Sequence, residues 1–300
     1  MSYRIETDED VQDGVRRVAC EQLEKAFDEL ADPALGAHER VHQVRKRAKK
    51  VRALVRLVRK SFDDYSQVNE AVRDAARRVS DLRDAKVFVD TFDALVADHD
   101  EVVRREKLAP IRDALVSHRD RLARAQLDDE DRLAKVRADL VAVREAAPSW
   151  SLDADGFDAV EGGLEKTYER ARDAMEKAYE APVAERAERF HEWRKRVKYH
   201  RYHVRLLQDL WTPPMKALRE ELHALSDHLG DAHDLAELGA AVRQRADGEA
   251  LAEPRRVLNA LIDRRRTELH DRAHPLGEKC FAEDPDDFVE RVGALWRAAR

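Results

Sequence analysis

Apolar residues recur at three- and four-residue spacing through almost the whole chain. Val44, Val51, Leu54, Val55 and Val58 are one example, and Trp193, Val197, Val204 and Leu207 are another. This spacing places side chains on one side of a helix, and it predicts helices throughout with no strand. Breaks are predicted at Pro33–Gly36, Asp63–Ser66, His99–Asp100, Leu127–Asp131, Ala147–Gly156, Pro182, Thr212–Pro214, Gly248–Pro254 and His274–Pro285, giving roughly ten helices. The stretch APSWSLDADG at 147–156 divides the chain almost in half. The expected architecture is all-α: an N-terminal helical bundle at 1–146, a linker at 147–156 and a C-terminal bundle at 157–300, each of about four long helices.

Composition agrees with helices. Of 300 residues, 39% are charged, and there are only 10 glycines and 9 prolines to interrupt a helix. The 43% hydrophobic share is enough for a sizeable core. Cys20 and Cys280 offer no disulfide framework, which favours a reducing compartment. The polar, acidic start MSYRIETDED and the lack of a long apolar run argue against secretion or a membrane span. A cytoplasmic protein is expected. The net charge of −6 argues against a polyanion binder, but charge is segregated along the chain and the average conceals this.

Residues 42–57, HQVRKRAKKVRALVRL, align without a gap to 191–206, HEWRKRVKYHRYHVRL. His42 matches His191, Arg45 matches Arg194, Lys46 matches Lys195 and Lys49 matches Lys198. Arg52 matches Arg201 and Arg56 matches Arg205. At about 100° per residue, His42 and its five cationic companions share a sector of about 120°, opposite the valines and leucine. The second copy repeats the stripe. A solvated helix face normally mixes signs, with acids four residues before bases. Residues 38–60 instead carry ten Lys or Arg and one acid, Glu39. Two matched ladders of one sign point to a bound anion. Arg grips two phosphate oxygens with a planar fork, and Lys adds a compact mobile charge. A stripe of about 20 residues extends roughly 30 Å, suited to a linear polyanion. His42 and His191 begin the stripes, and an anion beside them would favour the imidazolium.

The element His-x-x-Arg-Lys-x-x-Lys-x-x-Arg, present at 42–52 and again at 191–201, resembles the CHAD family, the conserved-histidine alpha-helical domain. Arg83, Asp84, Ala85 and Val87 resemble a second element of the family, and LGDAHD at 229–234 is its partner, with Gly230 in place of arginine. The resemblance implies two pseudo-symmetric bundles whose basic helices line a central pore or groove. It also implies binding of inorganic polyphosphate, with targeting to polyphosphate granules in some members. Arg73, Arg77 and Arg83 sit where the family places further basic residues. The Glu-x-Glu-x-Lys signature of the triphosphate-tunnel domain found in some members is absent, so a stand-alone binding domain is expected.

Other chemistry is weaker. His99-Asp100, His233-Asp234 and His270-Asp271 suggest a metal phosphohydrolase only in part, because no set of partner ligands accompanies them. His38 with His42, and His200 with His203, lack an acidic or Cys partner on the same face. There is no Gly-rich phosphate loop. Trp193, Tyr199 and Tyr202 have no aromatic counterparts in the first copy, which disfavours base stacking and hence nucleic acid. The expected function is non-catalytic polyphosphate binding with no cofactor and no metal. A nucleic-acid binder and a metal-dependent phosphohydrolase are the alternatives.

Overall fold

The computed structural model is described over residues 3–79, 81–99, 105–125, 129–245 and 248–300, the side chains of 37, 81–84, 123–125, 129 and 130 excepted. Among these residues there are eleven α-helices and no strand. They are α1 (Val11–Ala31), α2 (Ala37–Leu57), α3 (Tyr65–Arg77), α4 (Asp81–Ala97), α5 (Arg105–Ala125), α6 (Asp129–Ala146), α7 (Asp158–Glu180), α8 (Arg186–Leu206), α9 (Thr212–Arg245), α10 (Ala252–Cys280) and α11 (Pro285–Ala299). No helix among them is long and apolar enough to cross a membrane.

Two boundaries differ from the sequence expectation. The break expected from His274 is absent, because α10 runs through Pro275 to Cys280. Proline there removes one intrahelical bond, but tertiary packing holds the turn. Gly277 is so close to α7 and α8 that an added Cβ would meet Met175 Sδ at 2.6 Å and Trp193 at 2.7 Å. Conversely, α9 is continuous over 34 residues, whereas the comparable stretch of the first half splits into α3 and α4 without a Pro or Gly to announce it.

Two apolar cores result, and neither respects the midpoint of the chain. The larger gathers Val15, Leu23, Val51, Leu54, Val72 and Leu140 with Leu164, Trp193, Val204, Leu225 and Phe288. The smaller joins Phe92 of α4 and Ile111 of α5 to Leu238 and Val242 of α9 and Leu258 of α10. Residues 147–156 are held down. Leu152 N–H donates to Gln12 Oε1 at 3.0 Å, Asp153 N–H to the Ser61 carbonyl at 2.8 Å, and Trp150 packs on Phe62.

The tightest approach lies between α7 and the end of α2. A Cβ on Gly163 would stand 1.8 Å from the Leu57 carbonyl oxygen, so only glycine admits this crossing. Arg59 seals it, donating to the Gly163 carbonyl at 3.3 Å and to Thr167 Oγ1 at 3.1 Å. This contact fixes α2 against the second half of the chain.

Candidate anion-binding site

Helices α2 and α8 have 21 residues each and end in the same backbone conformation, at Val58 and Leu207. Their apolar sides enter the large core. Lys49 of α2 and Lys198 of α8 come close enough to repel each other. His203 Nε2 donates to the Ala53 carbonyl at 2.9 Å, and the Arg56 guanidinium lies 4.1 Å from the centre of the Tyr199 ring. The stripe on α2 is therefore not an open surface: Arg56 is buried and Arg52 half-buried.

The centre of the site is Lys198. Burial, Arg194, Lys49 and Arg201 together push its ammonium down to about 6, with Asp234 opposing weakly. A carboxylate that fully neutralised this group would have prevented so large a fall. Arg194 lies 3.9 Å from Asp234, at the limit of an ion pair. Gly230, where the family element has arginine, faces Arg194, with an added Cβ at 3.7 Å from its Nε. An arginine there would set a further guanidinium against Arg194.

Other expected residues are distributed around this centre. Arg52 donates to Asn69 Oδ1 at 3.1 Å, and Arg56 donates to the Arg52 carbonyl at 3.0 Å. Burial is the main cause that lowers Arg52, with Arg56 and Arg73 adding repulsion. Arg73 is committed to Asp74 at 2.8 and 3.0 Å, and Arg77 is exposed at the end of α3. The side chain of Arg83 lies outside the described residues, as does that of Asp84. His42 and Arg45 are partly buried two turns and one turn before Lys49. Lys46 is exposed and reaches Gln43 at 3.4 Å. Lys195 pairs with Glu192, which also holds Arg196. Arg205 is half-buried at the far end of α8.

His191 meets His233, with the two Nδ1 atoms 3.1 Å apart, so one ring donates to the other. Burial, then Lys195 and Arg194, lowers His191, and burial with Arg194 pushes His233 down to about 3. Both rings are neutral at pH 7 in the free protein. The sequence pointed to His233 through the His-Asp dipeptide and through the family-like element LGDAHD, but not to its pairing with His191. Of the other dipeptides, His99 is buried with Nδ1 on the Leu95 carbonyl, His270 stacks on Phe190, and Asp100 lies outside the described residues. Among the described residues, no three His, Cys, Asp or Glu side chains gather to hold a metal ion. His200 and His203 are wholly buried. His200 lies among Tyr168, Phe281 and Phe288, and its burial pushes it down to about 3.

The aromatic rings near the stripes are occupied. Trp193 is inaccessible, Tyr199 carries Arg56, and Tyr202 packs edge-on against Tyr3.

Comparison with known proteins gives a consistent picture. A family model described as the CHAD domain matches residues 17–243. The solved structure of PptA from Streptomyces chartreusis is similar, with a TM-score of 0.65 at 15% identity over 92% of this chain and 100% of that one. The CHAD domain from the plant Ricinus communis is similar with a TM-score of 0.54 at 16% identity, over 100% and 96%. At these identities the likeness concerns the fold. No curated protein sequence matches.

Proposed function

The chain belongs to the CHAD domain family, and on that premise we propose that it binds inorganic polyphosphate, without turning it over, between the facing cationic sides of α2 and α8. The observation that carries this reading is Lys198, half-buried beside Lys49, Arg194 and Arg201. Such crowding of like charge opposes folding and is relieved by an anion that touches several of the cations together. A phosphate chain does so with one charge after another along the groove. Two helices supply the walls, and the charge-assisted bonds come from forks and ammonium groups on both. The occupied state of Trp193, Tyr199 and Tyr202 favours a bare phosphate chain over single-stranded nucleic acid, which needs open ring faces. A chain that grips the polymer in this way would also associate with polyphosphate granules in the cytoplasm.

The test is to measure binding of long-chain polyphosphate, single-stranded RNA and duplex DNA at two salt concentrations, with orthophosphate release followed with and without divalent metal. Polyphosphate is expected to bind most tightly, with affinity falling steeply as salt rises. Reversal of Arg45, Lys49, Arg194 and Lys198 to Glu should abolish binding while circular dichroism stays helical. Equal affinity for RNA would replace polyphosphate by nucleic acid, metal-dependent phosphate release would make the protein an enzyme, and undiminished binding by the quadruple variant would remove the site.

A further inference from the structure

The repeat that builds the two stripes is broken at one position with consequences at both ends of the helix crossing. Lys50 aligns with Tyr199, as Arg56 aligns with Arg205. At one end Arg56 meets Tyr199 face-on, a cation covered by a ring. At the other end the aligned partners are Arg205 and Lys50, two cations. Two more cations join them from elsewhere in the chain. Arg4 arrives on the N-terminal segment, pinned by Ile5 N–H donating to the Leu206 carbonyl at 2.9 Å, and Arg219 arrives on α9.

We propose that Arg4, Lys50, Arg205 and Arg219 form a second anion subsite, which extends the phosphate track past the end of α8. The inference rests on the polyphosphate reading. Arg4 lies outside the residues matched by the family model, whereas Lys50, Arg205 and Arg219 lie inside them.

The geometry is that of a built site. Tyr3 donates its hydroxyl to the Lys50 carbonyl at 2.7 Å, and its ring lies 5.1 Å from the Lys50 ammonium. This holds the start of the chain across α2. The Nε atoms of Arg4 and Arg205 are both buried without a hydrogen-bond partner, a costly state for a guanidinium N–H. The acids nearby are few. Asp209 takes Arg4 at 2.6 Å, and Glu220 lies 3.9 Å from Arg219, which also donates to Gln208 at 2.6 Å. Burial first, then Arg47 and Arg205, pushes Lys50 down to about 7, and burial with Arg219 and Arg4 lowers Arg205. Each of the four is partly accessible, so a phosphate oxygen can reach them. Arg201 adjoins both Arg205 and Lys198, and it joins this subsite to the central cluster as one path.

The experiment is a titration of the full chain with long-chain polyphosphate over a range of salt. It compares the parent with Arg4→Gln, Lys50→Tyr and Arg219→Gln, and with Arg194→Gln/Lys198→Gln as the control for the central site. Lys50→Tyr gives this end the ring found at the other. Each single variant is expected to weaken binding by up to about tenfold, with the slope of log affinity against log salt shallower by about one. Arg219→Gln leaves the N-terminal segment in place, so its effect separates lost charge from a loosened chain start. If the control loses binding while all three single variants keep the parent affinity and slope, the subsite is refuted and the central site stands. If the control also binds as the parent does, the polyphosphate reading falls with it.

Discussion

The two ends of the α2–α8 crossing are made from aligned residues and behave in opposite ways. At the Arg56–Tyr199 end a buried guanidinium lies against a ring face and donates to the Arg52 carbonyl. At the Lys50–Arg205 end, four cations share a half-buried space with Asp209 and Glu220 at its edge. The first end is a cation covered by a ring, while the second is the proposed anion subsite. The difference comes from tyrosine in one copy against lysine in the other, and from Arg4 and Arg219, which join the second end from elsewhere in the chain. Helix periodicity sets which residues face the groove, but residue chemistry sets whether a facing position closes the groove or fills it with charge.

The comparison can be broken most severely at the crossing itself. Gly163→Ala would place a Cβ against the Leu57 carbonyl, at 1.8 Å before relaxation. Because backbone and not a flexible side chain must give way, a loss of about 3 kcal/mol or more in urea unfolding is expected, with both ends disturbed together. Next comes Tyr199→Lys, which makes the closed end a copy of the open one. It removes a cation–π contact from a largely desolvated site and adds a like charge, a loss of about 2 kcal/mol. In return, added polyphosphate should raise the melting temperature of this variant more than that of the parent. An equal rise would mean that the ring does not close the track.

Lys198→Met should separate stability from binding. Replacing a half-buried amine, whose charged form its cationic neighbours oppose, by an apolar chain of similar length is expected to stabilise the free protein by about 1 kcal/mol. Affinity for polyphosphate should fall by about tenfold or more. A destabilised variant would show that Lys198 has a compensating partner.

The smallest effect is that of pH. The folded values for Lys198 and Lys50 are depressed to about 6 and about 7, from 10.5 for the ordinary amine. Between each folded value and 10.5 the unfolded chain holds more protons than the folded one, so stability of the free protein rises with pH across that window. An anion raises both values, so binding takes up protons, and affinity should weaken as pH climbs from 6 to 8. His191 and His233 act in the same direction at the acid end, because both are lowered in the free protein. Calorimetry in buffers of different ionisation enthalpy would count the protons, and no uptake at pH 7 would contradict the assignment.

Much of this was legible in the sequence. The helical spacing of Val44, Val51, Leu54 and Val55 gave the core side of α2, with the cations in the opposite sector, and the gapless second copy did the same for α8. The lack of acids among residues 38–60 marked the stripe as more than a solvated face. Other features were hidden because they depend on who meets whom. His233 meets His191 across two helices, Arg4 arrives from the chain start, and Arg219 arrives from α9. None of these has a spacing signature. Lys195 belongs to the stripe by periodicity, but it is tied to Glu192 one turn earlier on its own helix. The split between α3 and α4 carries no Pro or Gly, and the run of α10 through Pro275 defies the usual reading of proline.

The sequence by itself determined the helices, the two cationic ladders and the kind of ligand they suit, because periodicity and charge are local properties of the chain. Packing brought Lys49 beside a half-buried Lys198 and set Arg56 against the Tyr199 ring. Those outcomes follow from a backbone contact at Gly163 and from desolvation, and both arise only when distant segments pack.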